Sequence, residues 1–316
     1  MTRTPFGHRL RTAMADHGQL CVGIDPHPKL LAQWGLADDI NGLRQFSLTM
    51  VEAAAGRAAA IKPQSALFER HGARGVGVLA EVIAAARGWG ILCIVDAKRG
   101  DIGSTMDGYA AAYLSDHSDL AGDAVTLSPY LGFGSLQPAL ELAEQTGRGV
   151  FVLCLTSNPE GAGVQHAINP QTGRAIAADI AAAAAAENQA ALGSWAQLAS
   201  KSPTDASQRC PEVGASLAHG SRGAPLGSVG LVVGATVGTA VSDLGIDLAA
   251  VNGPLLAPGI GAQGAGATEL RQVFGAARPN VLASSSREIL AEGPQVADIR
   301  QAIQRSRDDV MAALSA

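Results

Sequence analysis

Three observations predict an α/β protein folded as a single (β/α)8 TIM barrel. Eight short apolar runs recur along the 316 residues, each followed by a longer helical stretch, and most successive spacings are about 24–36 residues, the size of one βα unit. The purest runs, ILCIV at Ile91–Val95 and VFVLCL at Val150–Leu155, are continuously apolar, which suits strands covered on both faces in a parallel sheet. Polar and charged residues stand just past the carboxyl ends of several runs, where a barrel gathers its active site. An open doubly wound sheet is the alternative architecture, because counting helices does not separate it from a barrel.

Taken in order, the first run is Leu20–Ile24, followed by Asp25 in the rigid turn D-P-H-P. The second, Ala59–Lys62, ends on a lysine, and the third, Ile91–Val95, opens into Asp96-Ala97-Lys98-Arg99-Gly100-Asp101. The fourth, Ala124–Leu127, is followed by Ser128. After the fifth, Val150–Leu155, come a loop at Thr156–Thr172 and the alanine-rich Arg174–Ser200, a strong helix former. Lys201–Ser228, rich in Ser, Gly and Pro, reads as an irregular surface loop or insertion between strands five and six. The sixth run is Gly230–Val233. The seventh, Leu255–Ala257, leads into PGIGAQG, and the eighth, Val281–Ala283, into Ser284-Ser285-Ser286-Arg287. Residues 1–316 are expected to form one domain.

Composition narrows the function classes. The hydrophobic fraction is 47 %, and setting aside 60 alanines leaves roughly 28 % larger apolar residues, enough for a substantial core. Charged residues are 16 % of the chain and aromatics 4 %, unlike a disordered, charge-rich sequence. A net charge of −5 with dispersed basic residues argues against an extended nucleic-acid surface. No run approaches the roughly 18 apolar residues of a membrane span, and Met1–His17 has no apolar signal core. Cys21, Cys93, Cys154 and Cys210 are far apart and form no C-x-x-C pair, so buried thiols in a reducing cytoplasm are expected. The seven histidines show no metal spacing. His27 is held in its proline-flanked turn, and His71, His117 and His166 read as surface or loop residues.

The third strand end carries the strongest chemical signal. Asp96 and Lys98 are two apart, so an extended backbone points both side chains the same way. Asp101 follows in the loop and Lys62 comes from the neighbouring strand end, giving an array of two cations and two anions. Opposite charges keep one another ionised despite partial burial, and such an array can set an ammonium beside a developing negative charge. A structural ion-pair network at the rim fits the same pattern. The last two loops favour a ligand. Barrels often bind phosphate with the loops after strands seven and eight. Here a glycine-rich loop from Pro258 precedes Arg287, a forked donor suited to phosphate oxygens. No dinucleotide fingerprint follows the first strand, so no nicotinamide cofactor is expected.

The motifs DAKRGDIGST, VGIDPHP, AAIKPQSALFERHG, LSPYLGFGSL, LCLTSNPEG and APGIGAQG, in this order from about Cys21 to Arg287, closely resemble the orotidine 5′-phosphate decarboxylase family, in its longer bacterial type 2 branch. The resemblance implies cofactor-free and metal-free conversion of orotidine monophosphate to uridine monophosphate and carbon dioxide, the last step of de novo pyrimidine synthesis. It implies that Lys98 protonates C6, that Lys62, Asp96 and Asp101 complete the charged array, and that Asp96 lies near the departing carboxylate. Asp25 and Lys62 would bind ribose hydroxyls, Ser128 the pyrimidine, and Pro258, Gln263 and Arg287 the phosphate end. It further implies a cytoplasmic homodimer in which Asp101 and Thr105 reach the partner's site. A serine at 286, where the family pattern has glycine, could add a hydroxyl or crowd the phosphate. Two other readings remain open at this point: a magnesium-dependent phosphosugar decarboxylase or aldolase of the same superfamily, and a non-catalytic phosphate-binding barrel.

Overall fold

All eight apolar runs become strands in the computed structural model, which describes residues 3–200, 225–260 and 265–315. The strands are β1 Leu20–Ile24, β2 Ala60–Pro63, β3 Leu92–Arg99, β4 Ala124–Leu127, β5 Gly149–Leu155, β6 Val229–Val233, β7 Leu255–Pro258 and β8 Val281–Ser285. They pair in parallel in sequence order, and β8 returns to β1, so the sheet closes into a barrel. The open-sheet alternative is thereby excluded. Helices between the strands cover the outside, among them Ile40–Ala54, Gly72–Trp89, Gly103–Leu114, Gln137–Thr146 and Ile176–Ser200.

Closure explains the uninterrupted apolar runs. Every strand contributes to an interior apolar layer, with Cys21, Ala60, Ile94, Ala124, Phe151, Val232, Leu256 and Leu282 packed as one cluster against which Leu92 and Leu153 also lie. The flanking residues, such as Val22, Ile61, Val95, Val125, Val152, Leu231, Leu255 and Val281, point outward into the helix layer. The two-residue alternation is present, but both faces are buried, so hydropathy does not display it.

The amino-terminal helix Phe6–His17 has a role that its mixed composition does not announce. Its Phe6, Leu10 and Met14, one helical turn apart, enter the same interior cluster and close the end of the barrel opposite the strands' carboxyl ends. Phe6 meets the inward Phe151 edge to face, with ring centroids 5.9 Å apart. Gly149 makes room for it, since a Cβ there would lie 2.2 Å from the Phe6 ring. Beside the plug Arg9 pairs with Asp123, whose other oxygen accepts the Cys93 N–H at 2.9 Å.

Most of the insertion predicted at 201–228, with Cys210, lies outside the described residues. Its last four residues depart from a surface loop: Leu226 is fully buried in the interior cluster, and the Gly227 N–H donates to Asn252 O at 2.9 Å. Cys21, Cys93 and Cys154 are free and buried, as expected. Burial pushes the Cys21 and Cys154 thiols up to about 12. His71 does stand in a loop, yet its side chain is only 11 % exposed, with Nε2 3.7 Å from Asp38. Among the described residues no helix is long and apolar enough to cross a membrane.

The plug yields a stability prediction. Phe6→Ala removes a buried ring from a site that cannot collapse around rigid strands, a change that costs about 3–5 kcal/mol. Denaturant unfolding should report that loss while turnover at ambient temperature is retained, because the plug and the charged rim occupy opposite ends of the barrel.

Candidate active site

The charged array assembles around a break in strand register. Val95 pairs with Val125, but the next pair is Arg99 with Leu127, so four steps along β3 match two along β4. Asp96, Ala97 and Lys98 thus stand opposite the single residue Thr126, and Lys98 takes a left-handed backbone with φ of 48°. A non-glycine residue there costs roughly 1–2 kcal/mol, and strain of this kind gathers at functional sites. The convergence of Asp96 and Lys98 thus comes from a bulge, not from the plain two-residue alternation the spacing suggested.

Asp96 is the hub. Its Oδ2 accepts from Lys62 Nζ at 2.7 Å and Gln64 Nε2 at 3.3 Å, and its Oδ1 from Lys98 Nζ at 2.6 Å and Thr126 Oγ1 at 2.8 Å. Burial pushes the Asp96 carboxyl up, but the lysines, Lys62 foremost, outweigh it and hold the group well below the usual carboxylate range. Burial likewise pulls Lys62 down, and the carboxylates of Asp96 and Asp25 reverse the effect, so its ammonium is held above the ordinary lysine value. Exposure separates the two lysines. The Lys62 side chain is 9 % exposed and Lys98 is 44 % exposed, so Lys62 is a fixed charge and Lys98 reaches into the open site.

A cavity of about 330 Å³ joins this array to the other rim. It is lined by Asp25, Lys62, Asp96 and Lys98 on one side and by Pro258, Gly259, Ser284, Ser286 and Arg287 on the other, and its volume falls within the range of small-ligand sites. The buried Asp25 Oδ1 has no hydrogen-bond partner among the described residues, leaving an acceptor at the cavity wall. Gly259 adopts φ of 95°, a backbone suited to glycine, where β7 turns out of the barrel. The Arg287 side chain is exposed and makes no ion pair or hydrogen bond among the described residues, while its carbonyl accepts the Ala291 N–H at 3.0 Å. Gln263 lies outside them. Ser286, the departure from the family pattern, is accommodated by β1: a Cβ on Gly23 would sit 1.9 Å from the Ser286 hydroxyl. Behind it Ser285 Oγ donates to Glu288 at 2.7 Å, tying β8 to the short helix Arg287–Leu290.

Three expected residues stand apart from this cavity. Asp101 turns back to accept its neighbour Ile102 N–H at 2.8 Å, and Thr105 is exposed on the next helical turn. Ser128 continues the ladder, its N–H donating to Arg99 O at 2.7 Å, and is not part of the lining. Conversely Gln64, Thr126, Thr156 and His27 line the cavity without having been singled out for chemistry. Gln64 lies two residues beyond Lys62 on a strand end, a spacing that could have flagged it. Thr126 is concealed inside an apolar run. Arg99 is engaged elsewhere: it pairs with Glu69, which also accepts from Ser65 Oγ at 2.6 Å, and lies 5.8 Å from the ring centres of both Tyr109 and Tyr113.

Comparison with known proteins places the chain in good company. The model of the orotidine 5′-phosphate decarboxylase / HUMPS family matches residues 18–302. The orotidine 5′-phosphate decarboxylase of Salinispora arenicola is 53 % identical over 98 % of each chain, and that of Streptomyces coelicolor is 50 % identical over 99 % of each. A crystal structure from Streptomyces avermitilis, provisionally named as the same enzyme, superposes with a TM-score of 0.85 at 51 % identity, covering 100 % of this chain and 98 % of its own. The Leishmania donovani OMP decarboxylase structure gives 0.68 at 28 % identity, over 99 % of this chain and all of the other.

The electrostatics of Asp96 give a pH prediction. A carboxyl whose native value is depressed contributes stability that is present above the unfolded value, near 3.9, and lost as the pH falls toward the native one. The unfolding free energy should therefore fall with acidification from about pH 5 to pH 3, and the slope should be shallower in Asp96→Asn. Equal slopes in denaturant titrations of the two proteins would contradict the assignment.

Proposed function

The chain belongs to the orotidine 5′-phosphate decarboxylase family, and from that premise we propose how its residues divide the work. The reaction is the conversion of orotidine 5′-monophosphate to uridine 5′-monophosphate and carbon dioxide, the closing step of de novo pyrimidine synthesis, and the chain is accordingly a carboxy-lyase. The observation that carries the division of roles is the Lys62–Asp96–Lys98 array at one end of a cavity whose other end presents Gly259, Ser286 and Arg287.

Breaking the bond between C6 and the carboxylate leaves an electron pair on C6 of the pyrimidine. Lys98, the exposed ammonium, stands where it can stabilise that charge and then deliver its proton to C6, forming the new C–H bond as carbon dioxide departs. The neutral amine regains its proton from water. An ammonium held in place before the reaction interacts more strongly with the carbanion-like transition state than with the substrate, which is what lowers a barrier. Asp96 supports this twice over. Its fixed negative charge keeps Lys98 oriented, and it would lie against the substrate carboxylate, whose repulsion is relieved when carbon dioxide leaves. Lys62 holds Asp96 ionised and, with Asp25, offers partners for ribose hydroxyls; the unpartnered Asp25 Oδ1 supports that role. Pro258, Gln263 and Arg287 take the phosphate, whose binding energy helps to fix the ring over Lys98. Ser128 joins at the pyrimidine only if its rim closes inward.

The unit is a homodimer in this reading, and the place is the cytoplasm. Asp101 and Thr105 do not line their own cavity, and Ile102, Tyr130 and Leu131, just past the ends of the adjacent strands β3 and β4, are 61 %, 77 % and 53 % exposed. Exposed apolar side chains on neighbouring rim loops suit an interaction surface, and a second copy docked there would receive Asp101 and Thr105 at its own site. No cofactor is assigned. Residues 1–316 act as one unit, with 201–228 outside the chemistry.

Two measurements test this account. The full chain, dialysed against a chelator, should convert orotidine monophosphate to uridine monophosphate, followed by ultraviolet absorbance, and Lys98→Ala should lose turnover by several orders of magnitude while still binding uridine monophosphate. No turnover of orotidine monophosphate by the folded chain, with magnesium-dependent turnover of a phosphosugar, would move it to the phosphosugar enzymes of the same barrel superfamily. Separately, mixing inactive Asp101→Ala and Lys98→Ala chains should restore activity through one intact hybrid site. Confirmed heterodimers without activity would refute sharing across the interface.

A further inference from the structure

We propose that Thr126 is a positioning residue for decarboxylation: one hydroxyl that spans the bulge of β3 and sets the orientation of Lys98 from both ends of that lysine. The inference rests on the assignment of Lys98 as proton donor. The buried Thr126 Oγ1 accepts the Lys98 backbone N–H at 2.9 Å and lies 2.8 Å from Asp96 Oδ1. The same Oδ1 receives the Lys98 ammonium at 2.6 Å. The hydrogen bonds therefore close a ring from the Lys98 main chain through Thr126 and Asp96 to the Lys98 side chain.

The direction of each bond in the ring is fixed by chemistry. A backbone N–H can only donate and an ionised carboxylate can only accept. The hydroxyl must therefore accept from Lys98 and donate to Asp96, and it has no second arrangement available. The register break makes this residue necessary. Three residues of β3 stand opposite Thr126, so the Lys98 N–H has no ladder carbonyl of its own, and the hydroxyl serves in place of one. It thereby anchors a left-handed lysine that would otherwise be free to relax toward ordinary strand geometry. Gln64, the other neutral donor to Asp96, is longer and bonds at 3.3 Å, so it does not supply the same constraint.

A residue of this kind should affect turnover rather than binding, because the geometry it holds matters when charge develops on C6. Thr126→Val keeps the branched shape and strand preference while removing both hydrogen bonds. Misplacement of a reacting group by about 1 Å can cost on the order of 100-fold in rate, and a fall in kcat of that size is expected, with KM and uridine monophosphate affinity within about threefold of the unmodified chain. Thr126→Ser, which restores the hydroxyl, should recover most of the lost turnover. If the valine protein fails to fold, Thr126→Ala carries the same comparison. A kcat within twofold of the unmodified chain in Thr126→Val or Thr126→Ala would overturn the proposal. So would a serine variant as impaired as the valine one, or a loss of affinity that accounts for the loss of rate. Lys98→Ala in the same series separates the two levels. If it still turns over substrate, the role of Lys98 fails. If it does not and Thr126→Val is unimpaired, only the role of Thr126 fails.

Discussion

A carboxylate that must stay ionised out of water governs the architecture of this rim. Asp96 is 6 % exposed, and an isolated charge at such depth would take up a proton. Two ammonium groups and two neutral donors prevent that, and each imposes a demand on the fold. Lys62 must come from β2, Thr126 from β4, and Lys98 from the same strand two residues later. Only a register break in β3 lets Lys98 return to a carboxylate on its own strand while Thr126 stays within reach. The ion pairs, the bulge and the left-handed lysine are thus one constraint seen at three levels. Ion pairing at this depth is weak evidence of net stability, because desolvation offsets much of the attraction, and its presence is better explained by the chemistry at the cavity.

The barrel separates that polar cluster from the source of its rigidity. Below the rim, inward residues from every strand and the Phe6–Leu10–Met14 face of the first helix fill the interior with apolar side chains. A closed parallel sheet has no free edge along which a strand can slip, so the strand ends carrying Lys62, Asp96 and Thr126 are held in register by the whole circuit. The opposite side of the cavity is built differently. Arg287 stands on a four-residue helix after β8, secured through Ser285 and Glu288, and the preceding loop leaves β7 at a left-handed glycine. The Lys62–Asp96–Lys98 charges sit on the rigid wall, whereas Gly259 and Arg287 across the cavity sit on loops.

The eight strands were legible because each is buried on both faces and so appears as an apolar run bounded by polar residues. The charged array was legible because Lys62, Asp96 and Lys98 lie at the ends of such runs. The plug helix was harder to see. Its Phe6, Leu10 and Met14 recur at helical spacing, but His8, Arg9 and Arg11 between them dilute the signal, and nothing local says that the face they form enters a barrel. Thr126 was invisible for a different reason: a threonine in the run AVTL reads as a β-branched strand residue, and its chemical role exists only because β3 is bulged opposite it. Asp101 stands in the same motif as Asp96 and Lys98 yet does not line the cavity, because the loop after the bulge carries it past the rim, which the linear spacing does not show.

Ser286 shows why a departure from a family pattern has to be judged with its neighbour. A serine just before Arg287, in place of glycine, suggests either a new donor or a steric conflict. The outcome depends on Gly23, three strand positions into β1, because β1 and β8 are adjacent and register places Cys21 beside Ser284. The Ser286 hydroxyl occupies volume that any side chain at 23 would claim. The extra atoms lean on β1 near Asp25 and need no displacement of Arg287. The Ser286 hydroxyl, just past the end of β8, thus fills the space that the absent side chain of Gly23 leaves on β1, and the two residues shape this wall of the cavity together.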